Sequence, residues 1–193
     1  MKVNVGLFLV IFLIQTLNSF SQENRLFESL EETSLVSSDS VFRLDLSKNK
    51  LTEFPIEIFK YKNLKELYLS KNKLTNLPVE FNEFKKLEIL DLSKNEFSNF
   101  PFPLCSVVSL RQLFLGRNKI TVIPECIGQL HDLEVLDIWY NQINGLPDSI
   151  SRLKKLKNLD VRGVNFSHKT QAKIRSLLPW VKIEFDVGCD CGG

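Results

Sequence analysis

The sequence repeats itself every 23 residues, and this period constrains the fold more than any other feature. Copies of the pattern LxxLxLxxNxL begin at Val41, Leu64, Leu87, Leu110, Leu133 and, in degraded form, Leu156. A fixed period of about 20 to 50 residues is typical of solenoids and related arrays, because one unit cannot bury its apolar side chains alone. The units are therefore predicted to stack along one axis and share a continuous core.

Within each copy, numbered from its first residue, positions 4 and 6 are apolar and alternate with polar residues, as at Leu44 and Leu46. This alternation is typical of a half-buried strand, and a spacing of 23 residues suits a parallel crossover rather than a hairpin. Position 9 falls where the strand turns into the core, and an amide there can satisfy backbone groups of adjacent turns. We expect an inward-pointing ladder at Asn49, Asn72, Asn95, Asn118 and Asn141.

The extended pattern LxxLxLxxNxLxxLP resembles the leucine-rich repeat, in the 23-residue form common in bacterial and in Ras-group plant and animal proteins. The resemblance implies an α/β solenoid, or horseshoe, with a parallel concave sheet and short convex helices or 3₁₀ turns. Prolines that fix φ before each convex segment fit this arrangement, and they are Pro55, Pro78, Pro101, Pro124 and Pro147.

An open solenoid exposes its core at both ends, so helical caps are expected outside the repeats. The segment SLEE at 29–32 has the form of a capping box and predicts a short helix through Leu35. Ser167 is placed to N-cap a longer helix over about 168–178, followed by a last strand within 180–185. The predicted organisation is an N-terminal cap at 22–40, repeats at 41–166, a C-terminal cap at 167–185 and a tail at 186–193.

Residues 1–21 are predicted to be an export signal. Lys2 is the only charged side chain before Glu23, and ten unbroken apolar residues, VGLFLVIFLI, begin at position 5. A bilayer span needs about 20 such residues, whereas a signal-peptide core needs fewer. Ser19 and Ser21 supply small residues before a cut at Gln22. We expect a secreted, periplasmic or cell-surface protein; the alternative is an intracellular signalling scaffold, similar to Ras-group proteins, whose apolar run is not a signal.

Composition and motifs do not indicate catalysis. Twenty-five Lys and Arg against 23 Asp and Glu leave a charge of +2, too small for nucleic-acid binding. Phosphate-loop, HExxH, GxSxG and GxGxxG patterns are absent from the sequence. His131 and His168 lie in different regions and are expected to be solvated. The same is expected of the position-5 aspartates Asp45, Asp91, Asp137 and Asp160. We therefore predict no catalytic residues, cofactor or metal.

The four cysteines fall into two groups. Cys105 and Cys126 lie on convex segments of adjacent turns, and a disulfide closing that loop would stabilise the fold by about 3 kcal/mol in the chain-entropy model. Two buried thiols packing as small apolar groups are the alternative. Cys189 and Cys191 form a CxC in the tail. For that pair a local disulfide, an intermolecular link, a soft metal site and no role all stay open.

Comparison of the copies distinguishes the later units at exposed positions 7 and 8. These read Ser-Lys in the first three copies, Gly116-Arg117 in the fourth and Trp139-Tyr140 in the fifth. Exposed aromatic residues that a core does not require are common anchors of protein interfaces. We predict a partner-binding patch on the concave face formed by Phe114, Trp139, Tyr140, Ile89, Val135, Arg117 and Arg162. In the alternative, Arg162 stacks on Trp139 within the molecule and nothing binds.

A basic column at position 8 consists of Lys48, Lys71, Lys94 and Arg117. This column could meet an anionic partner, but Asp45 and Asp91 stand beside it, so a solvated mixed-charge face is favoured. The sequence thus predicts a monomeric, non-catalytic interaction module. We expect it to bind a protein, or a glycan, on its concave face, with no nucleic acid and no membrane span in the mature chain.

Overall fold

The structure is a computed structural model that describes residues 23–186. Within this range eight strands form one parallel sheet whose order follows the chain. The strands are β1 Leu26–Phe27, β2 Arg43–Asp45, β3 Glu66–Tyr68, β4 Ile89–Asp91, β5 Gln112–Phe114, β6 Val135–Asp137, β7 Asn158–Asp160 and β8 Lys182–Glu184. Neighbouring strands pair at the repeat spacing, as Leu90 does with Leu113. The predicted leucine-rich repeat solenoid is confirmed.

Five short 3₁₀ helices return the chain from one strand to the next, and each of them begins directly after a proline. They are Ile56–Lys60, Val79–Glu83, Phe102–Ser106, Glu125–Gln129 and Asp148–Arg152. A further 3₁₀ turn, Ser38–Ser40, precedes β2. The core lies between the sheet and this layer, where position-4 leucines such as Leu90 and Leu113 are fully buried.

Helix α1, Leu30–Ser34, covers the N-terminal end of the core. The Ser29 hydroxyl accepts a hydrogen bond from the Glu32 N–H at 3.2 Å, as the capping-box sequence predicts. The buried Tyr61 hydroxyl donates to Thr33 Oγ1 at 2.6 Å and so ties the helix to the first repeat. Strand β1 precedes this helix and is not evident from the sequence, because two residues cannot show a period.

Helix α2, His168–Leu177, and strand β8 cover the C-terminal end. The Ser167 hydroxyl accepts a hydrogen bond from the Thr170 N–H at 3.2 Å, which is the cap that the sequence predicts. Residues 1–21, predicted as the export signal, and the CxC of Cys189 and Cys191 lie outside the described residues. Within 23–186, the model has no helix with both the length and the apolar character needed to cross a membrane.

Four of the five ladder asparagines are buried: Asn72, Asn95, Asn118 and Asn141. Asn118 shows the bonding pattern. Its Nδ2 donates to the carbonyl oxygens of Leu92 and Leu115, at 3.0 and 2.9 Å. Its Oδ1 accepts the Phe97 N–H at 3.1 Å. Each amide therefore joins its own turn to the preceding one.

Asn49 does not follow this pattern, which corrects the sequence prediction. Its side chain is exposed, and its backbone N–H instead donates to Asn72 Oδ1 at 3.0 Å. The physical reason is its place at the end of the array. After β1 the chain enters helix α1 at Leu30, so no repeat turn precedes Asn49 whose backbone its amide could satisfy.

Candidate interaction site on the concave face

The turn after each strand determines how positions 7 and 8 are presented. Position 8 has a left-handed backbone in every copy, with φ between 48° and 68°, at Lys48, Lys71, Lys94, Arg117, Tyr140 and Gly163. An aspartate at position 5 supports this turn by accepting the N–H of position 7, at 2.8 Å from Asp45 to Ser47 and 3.2 Å from Asp137 to Trp139. The position-5 aspartates are therefore structural acceptors as well as partly solvated side chains.

Trp139 and Tyr140 contact each other in this turn of the fifth copy. Their ring centroids lie 5.2 Å apart with the ring planes at 90°. Trp139 lies over Gly116 of the preceding turn, where a Cβ atom would overlap the indole. Tyr140 lies over Gly163 of the next turn, where a Cβ atom would come within 2.5 Å of the ring. The two glycines thus make room for two rings that lean in opposite directions along the sheet.

The two predicted arginines take different places. The Arg117 guanidinium lies 4.8 Å from the ring centre of Trp139 and 5.4 Å from that of Tyr140. Arg162 instead bonds to Asp160 at 2.5 Å and pairs with Glu184 at 3.4 Å. Arg162 therefore does not stack on Trp139 as the alternative expected, because two carboxylates on β7 and β8 hold its guanidinium, and Arg117 makes the intramolecular stack instead.

The remaining residues of the predicted patch do not join this aromatic pair into one apolar surface. The pairing register places Gln112 between Ile89 and Val135, so apolar and polar side chains alternate along that row. Ile89 instead lines a separate pocket whose other residues are mostly charged. Phe114 is half-buried and lies between the aspartates that end β4 and β6. Of the predicted patch, the structure brings Trp139, Tyr140 and Arg117 into direct contact and places Arg162 beside the two rings in one pocket.

A pocket of about 420 Å³ opens beside the aromatic pair. Its lining residues are Asp137, Trp139, Tyr140, Asp160, Arg162 and Asp186. The Asp186 carboxylate accepts the Gly163 N–H at 2.8 Å. Asp137 accepts the Trp139 N–H but makes no ion pair with any residue of the described range 23–186. The sequence does not single out Asp137, because it shares its repeat position with three other aspartates.

Burial raises the pKa of Asp137 to about 7. The Trp139 N–H opposes this rise, whereas the neighbouring carboxylates of Asp160 and Asp91 add to it, and Arg162 opposes it weakly. A carboxyl with this pKa titrates near neutral pH. Burial, and to a lesser extent the neighbouring carboxylates, therefore disfavour the ionised form of Asp137.

The edge of the sheet carries a different kind of surface. Position 2 alternates in charge along five successive copies, at Lys65, Glu88, Arg111, Glu134 and Lys157. Arg111 lies between Glu88 and Glu134, and Lys157 pairs with Glu134 at 2.5 Å. Hydrogen bonds from Lys157 and Arg111 lower the pKa of Glu134 to about 2. Lys65 at the start of the row pairs with Glu23 instead, so all five charges have partners and make a weaker case for a partner site than the aromatic pair does.

A row of exposed apolar side chains on the first three turns has no counterpart in the sequence predictions. Ile56, Val79 and Phe102 follow their prolines and are 66 to 69% exposed. The next two copies carry Glu125 and Asp148 at the same position. A comparison of position 16 between copies would have revealed this change from apolar to acidic residues.

Cys105 and Cys126 are joined by a disulfide between adjacent 3₁₀ helices, with their Cα atoms 5.5 Å apart. The histidines His131 and His168 are exposed. Over residues 23–186 the structure contains no group of three or more His, Cys, Asp or Glu side chains arranged to hold a metal ion.

Two family models match the sequence. One describes a leucine-rich repeat region and matches residues 82–179, more than half of the chain, and the other, described as a leucine rich repeat, matches 39–97. The protein therefore belongs to the leucine-rich repeat family. Domains of this family commonly serve as protein-interaction modules and are generally non-enzymatic, and neither matched model indicates a catalytic family.

Among solved structures, the chain is similar to a leucine-rich repeat protein of Leptospira interrogans, with 32% sequence identity and a TM-score of 0.68. The similarity covers 76% of this chain and 43% of that one, so the chain spans less than half of that relative's length. No curated protein matches the sequence.

Proposed function

We propose that this protein is an exported, non-catalytic interaction module that binds a protein partner through the C-terminal half of its concave face. The observation that carries the proposal is the contact pair of Trp139 and Tyr140. Tyr140 is 57% exposed and presents a large aromatic ring to solvent from a turn that all six copies share. Rigid aromatic side chains of this kind supply much of the binding energy of protein interfaces.

The repeat fold does not require these rings. The equivalent positions hold serine and lysine in the first three copies, which form the same turn with the same pairing register. In those copies Ser47 and Ser70 contact each other through their hydroxyls at 3.1 Å. The aromatic pair is therefore an addition to the scaffold, which supports a binding role.

Two observations support export. The first is the apolar run before Gln22, which has the length of a signal-peptide core. The second is the disulfide between Cys105 and Cys126, since disulfides persist in oxidising compartments and are rare in the cytosol. Together they favour an exported protein over an intracellular scaffold.

Site-specific photo-crosslinking in the native host tests the proposed interface. A photo-reactive phenylalanine would replace Tyr140 in one variant and Lys71 in another. The second is a matched control, because both residues occupy position 8 with similar left-handed φ values of 48° and 58°. We expect a discrete protein adduct from position 140 and none from position 71. Adducts from position 71 alone, or from neither position, would contradict the proposal.

A further inference from the structure

We infer that the pocket beside Trp139 and Tyr140 receives a basic side chain, lysine or arginine, of the partner. The inference rests on the proposed function above and specifies the chemistry of the group that the interface anchors. Three carboxylates, two aromatic rings and one guanidinium line this pocket. That guanidinium, on Arg162, is already engaged by Asp160 and Glu184.

The pocket holds three carboxylates and one guanidinium, so two carboxylates have no cationic partner within residues 23–186. Asp160 has Arg162 as its partner, and Asp186 is bound to the Gly163 N–H. Asp137 has no cationic partner within residues 23–186 and faces the carboxylates of Asp160 and Asp91. Burial together with this repulsion raises the pKa of Asp137 to about 7, and the charge of an incoming cation would favour the ionised carboxylate and offset the repulsion.

The aromatic walls suit the same ligand. Trp139 and Tyr140 already accept one guanidinium, that of Arg117, at 4.8 and 5.4 Å from their ring centres. Cation–π contacts of this kind strengthen when the cation is partly desolvated, as it would be between the rings and a carboxylate. The pocket therefore combines the two groups that bind a basic side chain best.

Other ligands fit the pocket less well. An anionic group would be repelled by the three carboxylates. Sugar hydroxyls could stack on the rings and bond to carboxylates, but a neutral sugar would leave the negative charge around Asp137 uncompensated. The first three copies present Lys48, Lys71 and Lys94 at position 8, so a basic group is disfavoured there. Arg117 holds the same position in the fourth copy, but its guanidinium is already stacked on the two rings.

The test uses a small probe and its neutral isostere. Isotope-labelled mature protein would be titrated with acetyl-Gly-Arg-Gly-amide and with the same peptide carrying citrulline, which keeps the shape of arginine without its charge. The indole N–H resonance of Trp139 reports the pocket, and that of Trp180 serves as an internal reference outside it. Asp137→Asn removes one of the two carboxylates that lack a cationic partner in the described part of the chain, 23–186. Asp45→Asn makes the same change at the same repeat position of the first copy.

We expect the arginine peptide to shift the Trp139 signal saturably in the millimolar range, with the citrulline peptide at least about tenfold weaker. Asp137→Asn should weaken binding at least about fivefold, whereas Asp45→Asn should not change it. Equal binding of the citrulline peptide overturns the inference, as does an unmoved Trp139 signal at about 20 mM peptide. The inference is also overturned if a neutral oligosaccharide moves the Trp139 signal and the arginine peptide leaves it unchanged. A crosslink from position 140 would in those cases leave the proposed interface intact.

Discussion

Replacing Asn118 by alanine should destabilise the protein far more than the same change at Asn49. The two residues are equivalent in sequence, since both occupy position 9 of a repeat. In the structure Asn118 is 8% exposed and makes three hydrogen bonds of 2.9 to 3.1 Å, whereas the side chain of Asn49 is exposed. Comparing Asn118→Ala with Asn49→Ala therefore separates the loss of the ladder hydrogen bonds from any general effect of replacing asparagine by alanine.

The expected loss of stability in Asn118→Ala depends on which hydrogen bonds the backbone partners of Asn118 keep after the substitution. The carbonyl oxygens of Leu92 and Leu115 also accept hydrogen bonds from Asn95 and Asn141, so each keeps a side-chain partner when Asn118 is removed. Loss of one such bond costs about 0.5 to 1.5 kcal/mol. The Phe97 N–H loses its Oδ1 acceptor and stays buried, which costs a further 1 to 3 kcal/mol, roughly. With two carbonyl bonds and one N–H bond lost, we expect Asn118→Ala to cost about 2 to 6 kcal/mol in total and Asn49→Ala less than about 0.5.

Urea unfolding of the mature protein, followed by circular dichroism, measures both differences. The slope of the free energy against urea should be similar in the two variants, so that the midpoints report stability directly. Equal destabilisation by the two substitutions would refute the reasoning, because it would mean that the first copy is bonded like the interior ones. A loss below about 0.5 kcal/mol for Asn118→Ala would refute it as well.

Further predictions concern titration, the disulfide and export. Asp137 has a raised folded-state pKa of about 7, so its protonated form stabilises the fold at acidic pH and this stability is lost as pH rises toward and through 7. Asp137→Asn should therefore raise the free energy of unfolding at pH 7.5, by on the order of 1 kcal/mol because the carboxyl is partly hydrated, and change it little near pH 4. Glu134 has a lowered pKa of about 2, so its contribution is present above its unfolded pKa and lost as pH falls toward 2, a dependence that Glu134→Gln should abolish in acid unfolding. Replacing Cys105 and Cys126 by serine should cost about 3 kcal/mol in urea unfolding, and unchanged stability would argue against the disulfide. Protein from the native host should begin at or near Gln22 by intact mass, and retention of residues 1–21 in a cytoplasmic pool would contradict export.

Periodicity predicts the interior of this fold well and its ends less well. Each interior turn packs against neighbours with the same residue pattern. The environment of Leu90 or Asn95 therefore follows from its position within the repeat. Asn49 has no such neighbour, and its sequence position alone cannot show this. Tyr61 similarly replaces an apolar residue because its hydroxyl meets Thr33 of the cap. That contact depends on how a separate segment packs.

For the candidate site, the differences between copies predict which residues form it but not how their side chains contact one another. Trp139 and Tyr140 stand out because serine and lysine occupy their positions in three other copies. Which arginine stacks on these rings depends on the other partners available to each arginine. Arg162 is held by the carboxylates of β7 and β8. The unusual titration of Asp137 arises from burial and from charges on other strands, neither of which a residue pattern records.

The most direct test of the interface is the affinity of the partner identified by crosslinking, measured for Tyr140→Ala and Lys71→Ala by calorimetry. The two substitutions occupy the same repeat position with the same left-handed backbone, so their effects on the turn should be alike. We predict that Tyr140→Ala weakens binding by about 2 kcal/mol or more, roughly thirtyfold, and that Lys71→Ala has little effect. Unchanged affinity for Tyr140→Ala with a large loss for Lys71→Ala would contradict the aromatic interface and favour an anionic partner on the basic column.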